Sequence, residues 1–149
     1  MPTRIEETRK KTKEAKKRIA AEKKFAKIEN LKKQNKQLKV MKETINALSV
    51  SFAELCLMEI DETANSGKNN VEIVARLKQK CREIEAAFDS LSYKVRSYDE
   101  IEKQIVKKAA EILEKEPYNY AVKVGTKIER YEYDGVPGQN HYPMLTISW

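Results

Sequence analysis

Hydrophobic residues are unevenly spaced along the first sixty residues of the chain. From about Arg4 to Ile60 there is neither Gly nor Pro, and the helix-favouring residues Ala, Lys, Glu and Leu dominate. Before residue 28 the large apolar side chains are too sparse to form a buried face. From Ile28 onward they recur three, four or seven residues apart, which is typical of a helix that packs on a core. The members of this stripe are Ile28, Leu31, Leu38, Met41, Ile45, Leu48, Phe52 and Leu55.

The most regular hydrophobic pattern follows a polar turn at residues 65–70. Its apolar positions alternate three and four apart, as in a heptad seam. They are Val74, Leu77, Cys81, Ile84, Phe88, Leu91, Val95 and Tyr98. A short polar connection usually joins antiparallel helices, so we predict a helical hairpin or coiled coil. Pairing of the same seam with a second chain is an open alternative.

A third helix is predicted after this seam. Asp99 offers a side chain for the helix N-cap, with Glu102 three residues later as its capping-box partner. Apolar residues follow at helical spacing from Ile101 to Leu113, and Pro117 is expected to stop the helix.

The last thirty-two residues alternate in polarity instead. Extended runs are expected at 118–124, 127–133 and 142–149, with turn signals at 134–135 and 136–138, which predicts a β-hairpin or a three-stranded antiparallel sheet. A lone hairpin is barely stable in water, so this small antiparallel sheet has to pack on the helices or on a partner. We therefore predict a mainly α protein with a small C-terminal β-sheet (α+β). Its expected parts are a basic helical arm (1–27), a helical hairpin or bundle (28–117) and a β tail (118–149).

Charge separates the arm from the rest of the chain. The net charge is +7, but residues 1–44 hold sixteen Lys or Arg against six Asp or Glu, whereas residues 45–149 hold fourteen against seventeen. Such asymmetry is typical of nucleic-acid contact through phosphates. The candidate phosphate-binding residues are Arg9, Lys10, Lys11, Lys13, Lys16, Lys17, Arg18, Lys23 and Lys24. Lysine lacks the planar fork of arginine, so their bias toward lysine favours charge attraction over base recognition. A solvated coiled-coil surface or a nuclear localisation signal would explain the same residues.

Candidate catalytic chemistry is sparse. The chain has one histidine, His141, and two cysteines, Cys56 and Cys81, which both fall on apolar helical faces and are expected to be buried. No motif for catalysis, metal binding or a cofactor is found, so we expect a protein that is not an enzyme. Since no signal peptide and no membrane span are recognised, and the cysteines are few, a cytoplasmic location is expected, or a nuclear one in a eukaryote.

Aromatic residues concentrate in the tail, which holds six of the eleven in the chain. Tyr131, Tyr133, Tyr142 and Trp149 are the predicted protein-interface residues. Stacking on bases and the covering of a thin core are the alternatives for these side chains.

These patterns together favour a non-enzymatic, helical binding protein. Its basic helix would contact DNA, RNA or a nucleoprotein complex, while the hairpin and the aromatic tail would contact protein. One alternative is a coiled-coil adaptor that assembles, also as a homo-oligomer, through the seams at 31–55 and 74–98. Another is a small inhibitor or regulator of a nucleic-acid enzyme. No membrane partner is expected, because residues 4–27 have too few bulky apolar side chains to insert.

Overall fold

The computed structural model describes Met1, residues 3–88 and residues 97–149. Within these ranges the chain forms three helices and three strands, which confirms the predicted mainly helical fold with a small C-terminal antiparallel sheet. In chain order they are α1 (Arg4–Asn65), β1 (Asn70–Val74), α2 (Lys78–Ala87), α3 (Tyr98–Glu114), β2 (Ala121–Tyr133) and β3 (Val136–Ser148). Residues 1–39 form a first compact unit and residues 40–149 form a second.

In the second unit, α1 buries the later part of the predicted stripe. Its buried residues include Met41, Ile45, Phe52 and Ile60, and the Lys108 ammonium of α3 donates to the Asn46 side-chain oxygen of α1 at 2.7 Å. Leu55, which was also predicted for the stripe, is half exposed. A straight helix drifts by about 20° per heptad, so a strict seven-residue repeat leaves the buried arc after a few turns.

The heptad seam predicted from Val74 to Tyr98 is not one continuous helix, which corrects the prediction. Residues 70–74 form β1, residues 75–77 are not helical, and α2 covers Lys78–Ala87. The predicted seam residues Leu91 and Val95 lie outside the described residues. The physical reason is that β-branched Val71 and Ile73 pair with β3, opposite Ile147 and Leu145. The polar turn before β1 is as predicted, because α1 ends at Asn65 and Gly67 has a φ of +82°.

Helix α3 begins two residues earlier than predicted and without the expected capping box. Its N-cap residue is Ser97, not Asp99. Glu102 is buried instead, and its Oε2 accepts a hydrogen bond from the Leu77 amide at 2.9 Å. Leu77 caps the start of α2, where backbone amides have no helical partner, so a carboxylate from α3 satisfies one of them. Burial is the main reason that the pKa of Glu102 lies above its ordinary value.

The sheet has the antiparallel strand order β1–β3–β2. The first two predicted extended runs form the single strand β2, and the third strand comes from residues 70–74. Asp134 and Gly135 form the β2–β3 turn with φ values of 48° and 76°, which confirms the turn predicted there. The turn predicted at 136–138 is wrong, because these residues belong to β3.

Prolines fit into β3 because their nitrogens face away from β2. The Pro143 carbonyl accepts a hydrogen bond from the Ala75 amide at 2.8 Å, so its backbone polar groups face the β1 side. Backbone direction alternates along a strand, and therefore Pro137, six residues earlier, faces the same side. Neither proline removes a hydrogen bond from the β2–β3 ladder.

The core of the second unit lies on one face of the sheet. Leu145, Ile147 and Ile73 point to this face and are buried, and α3 contacts both β2 and β3 there. Cys56 and Cys81 are fully buried, as predicted, and burial is the main reason that the pKa of each thiol rises to about 12. Both thiols therefore stay protonated at neutral pH.

Candidate nucleic-acid interface

All nine predicted phosphate-binding residues lie in the first unit, on the N-terminal part of α1, and all are exposed. A capping box fixes the start of this helix. The Thr3 amide donates to Glu6 Oε2 at 2.8 Å, and the Glu6 amide donates to Thr3 Oγ1 at 3.3 Å. The sequence signal for this cap is Thr-x-x-Glu at residues 3–6, which is not among the predictions made from the sequence.

Helical geometry places seven of the nine cations on one side of the helix. Successive residues turn by about 100°, so these seven fall within an arc of about 140°. They are Arg9, Lys10, Lys13, Lys16, Lys17, Lys23 and Lys24. We call these seven residues the basic face; Lys27 lies within the same arc. Glu6 also falls within it, but at the first turn, where its carboxylate is bound to the Thr3 amide.

The other two predicted cations, Lys11 and Arg18, lie on a different side of the helix. This side is an arc of about 80° that also contains most of the arm's glutamates, and we call it the mixed face. Its charged members within the arm are Arg4, Glu7, Lys11, Glu14, Arg18 and Glu22, and Glu29 continues it just beyond residue 27. Arg18 Nε lies 4.0 Å from Glu22 Oε1, and both side chains are about seven-tenths exposed. Exposed pairs of this kind stabilise little, but they cancel local charge.

Apolar side chains of the arm give it no buried stripe. Ile5, Ile19 and Phe25 are all exposed; Ile5 and Ile19 lie almost four turns apart along the helix, and Phe25 points to another side. Farther along, Ile28 and Leu31 are also exposed, at 43% and 48%. The arrangement of residues 4–27 therefore presents one strongly positive surface to solvent, and no described side chain of this segment is buried.

The four predicted protein-interface aromatics do not form one cluster. Tyr131 and Tyr133 lie near the β2–β3 turn, and Tyr133 is 75% exposed. Trp149 follows β3 at the opposite end of the hairpin, roughly 40 Å away along the strand. Its backbone amide donates to the Asn69 carbonyl at 3.0 Å, and its ring packs edge-on against Tyr120.

Tyr142 is half buried between two cations. The Arg76 guanidinium carbon and the Lys78 ammonium lie 4.9 and 4.6 Å from the centre of its ring. Arg76 also forms an ion pair with Glu129, which lowers the pKa of that carboxyl. These contacts join the segment after β1 to the hairpin, so Tyr142 already has partners within the chain.

A groove of about 560 Å³ lies between the first turn of α3 and the hairpin. Its lining mixes the cations Lys78 and Lys103 with the carboxylates of Asp99 and Glu102. Because these charges offset each other and Glu102 is bound to an amide, the groove has no charge preference like that of the basic face.

Among the described residues, no three His, Cys, Asp or Glu side chains are grouped so that they could hold a metal ion. In the same part of the chain, no helix has a stretch that is both long and apolar enough to span a bilayer. Comparison of the chain with protein-family models, curated proteins and solved structures gives no match.

Proposed function

We propose that this protein is a non-enzymatic binding protein whose basic N-terminal helix contacts nucleic acid, alone or within a nucleoprotein complex. The separation of seven cations onto the basic face, away from the glutamates of the mixed face, is the observation that supports this proposal. The rest of the chain, including the aromatic residues of its tail, would contact protein. The site of action would be the cytoplasm, or the nucleus in a eukaryotic cell.

Phosphates are the groups that the basic face fits best. From Arg9 to Lys24 the face extends for about 22 Å along the helix axis, at 1.5 Å per residue. Double-stranded DNA presents one negative charge for about every 1.7 Å of its axis, so many phosphates lie within reach of such a helix. Lysine ammonium groups bind phosphates as point charges and do not select between bases. The expected mode is therefore contact with the backbone, without strong sequence preference.

Counterion release gives the expected salt dependence. If all seven cations of the basic face replaced counterions, the logarithm of the binding constant would fall with the logarithm of salt concentration at a slope near −6. Fewer contacts give a proportionally smaller slope. A protein partner bound through apolar contacts would show almost no such slope, because few ions are released.

The test is binding of the purified full chain to a labelled duplex of about 20 base pairs and to a labelled single strand of about 20 nucleotides. Binding is measured by fluorescence anisotropy at several salt concentrations. A deletion of residues 1–27 is the comparison, because this segment contributes no buried side chain among the described residues. We expect the full chain to bind with a steep salt slope and the deletion to lose most of that slope. Absence of binding at low salt, or equal binding by the deletion, would refute the proposal.

A further inference from the structure

The outer edge of β2 is open. Within the described residues, β2 pairs with β3 on one side and has no strand on the other. Eleven of its thirteen residues are exposed, so this edge is accessible along nearly its whole length. An exposed strand edge offers a row of unpaired amides and carbonyls to a further strand.

The backbone groups that face outward can be assigned from Pro143. Its carbonyl faces β1, as shown above, so the pair Thr126–Pro143 exchanges no backbone hydrogen bonds between β2 and β3. The amide and carbonyl of Thr126 therefore point away from β3. By alternation, every even-numbered residue from Val122 to Glu132 directs its amide and carbonyl to the open edge.

The other free edge of the hairpin is less suited to pairing. Beyond β1, the edge of β3 contains Pro137 and Pro143, and both prolines lack an amide on that side. Proline on an edge is a common means by which proteins prevent strand addition. No proline occurs in β2.

We propose that β2 pairs antiparallel with β2 of a second copy of this chain, with the two-fold axis at Thr126. In this register Lys123 of one copy lies opposite Glu129 of the other, and this charge pair occurs twice, beside the Arg76–Glu129 ion pair within each copy. Val124 likewise lies opposite Ile128 twice, and Thr126 lies opposite itself. Opposite-charge, β-branched and Thr–Thr pairs all stabilise neighbouring antiparallel strands.

Neighbouring two-fold registers are less favourable. An axis at Lys127 would place lysine opposite lysine. An axis at Ile128 would pair Lys127 with Glu129, but it would also place apolar Val124 opposite charged Glu132 twice. The register at Thr126 also brings together the exposed side chains of Val124 and Ile128, which are 55% and 49% accessible in the single chain. Because residues 118–149 contain three Lys or Arg and three Asp or Glu, the two hairpins do not repel each other through net charge.

The interface is short, so the dimer should be weak. About eleven residues of each strand would pair, with about ten backbone hydrogen bonds between the copies. That is smaller than the interface of a standard stable complex, and we expect a Kd of about 10 µM. This pairing is independent of nucleic-acid binding by the arm, because it uses the second unit only.

Sedimentation velocity of the full chain, at concentrations from about 1 to about 100 µM, tests this pairing without nucleic acid. We expect Thr126→Pro, which removes an outward amide, to raise the Kd at least tenfold, whereas Thr126→Ala keeps the amide and changes it less than threefold. We expect Lys123→Glu to weaken the dimer. The added substitution Glu129→Lys should restore it in part, since opposite charges then face each other again between the copies while the ion pair with Arg76 within each copy is lost.

The charge exchange keeps the test decisive if Thr126→Pro also disturbs the hairpin, which circular dichroism would show. A single 17.3 kDa species at the highest concentration would overturn the proposal. A dimer that is unaffected by all of these substitutions would also overturn it, because such a dimer would form through another surface, such as exposed Ile28 and Leu31.

Discussion

Neutralising one face of the arm should reduce nucleic-acid binding far more than neutralising the other. The first variant replaces three cations of the basic face with glutamine: Lys13, Lys17 and Lys24. The matched control replaces three cations of the mixed face: Arg4, Lys11 and Arg18. Both variants remove three positive charges, and glutamine has nearly the helix propensity of lysine and arginine.

The expected magnitude follows from counterion release. If all three basic-face cations contact phosphates of B-form DNA, their loss lowers the salt slope by about 2.7. Since the counterion contribution vanishes near 1 M salt, this corresponds to binding up to about 500-fold weaker at about 0.1 M salt. The control cations lie across the helix from the phosphates, at a distance similar to the Debye length of about 10 Å at that salt. Their loss should change the slope by less than about 1.

Anisotropy titrations with a duplex probe at four or more salt concentrations give both slopes. Circular dichroism of each variant checks that the helix content is unchanged. Equal loss of slope in the two variants would show that binding follows net charge, and the assignment of the basic face as the contact surface would then be wrong. An unchanged slope in the first variant would refute phosphate contact by these three lysines.

Three further predictions concern the second unit and its comparison with the arm. Phe52→Ala should lower the free energy of unfolding by about 3–5 kcal/mol, because Phe52 is only 5% exposed. Phe25→Ala, at a site that is 66% exposed, should change the free energy of unfolding by less than about 0.5 kcal/mol. Urea titrations of both variants measure these changes. Burial raises the folded-state pKa of Glu102, so its contribution to stability is greatest below the ordinary glutamate pKa and falls as pH rises through the raised value. Glu102→Gln keeps an acceptor oxygen but does not titrate, so it should flatten the pH dependence of the free energy of unfolding above about pH 4.5. A pH profile unchanged from that of the original chain would contradict this prediction. Gly138→Ala should displace the Tyr131 ring, because a Cβ at this position would overlap that ring, while a Cβ at Gly125 meets only a Met144 atom at 3.9 Å. The Tyr131 ring signals in NMR spectra should therefore shift in Gly138→Ala and not in Gly125→Ala.

Local patterns predicted those parts of the fold that depend on neighbouring residues in the chain. The long helix α1 follows from a run of helix formers without Gly or Pro, and the Asp134–Gly135 turn follows from residues that tolerate positive φ. The separation of basic and mixed faces was also present in the sequence, since it needs only the helical period. Charge counted along the chain groups all nine cations together, whereas charge placed around the helix axis divides them between the two faces.

Features that depend on distant contacts could not be predicted in the same way. Strand β1 is five residues long, and its partner β3 lies about seventy residues later, so the local spacing of Val71, Ile73 and Val74 did not distinguish it from a helical seam. Glu102 has the spacing of a capping-box residue, but the unpaired amide that its carboxylate accepts from belongs to Leu77, twenty-five residues earlier. Its local spacing contains no information about that amide.

The basic face reduces the stability of the helix that bears it, which is a further argument for an anionic partner. Arg9, Lys13 and Lys17 follow each other at four-residue spacing, and like charges at this spacing destabilise a helix by about 0.2–0.5 kcal/mol per pair. Distributing the same lysines among the glutamates of the mixed face would have replaced this repulsion with attraction. The arm has no buried face to compensate, so its helix rests on intrinsic propensity, on the Thr3–Glu6 cap and on continuation from the packed turns after Met41. Phosphates bound along the basic face would remove the repulsion and stabilise the helix by the free energy of binding. A partner without negative charge would leave the repulsion among these cations unchanged.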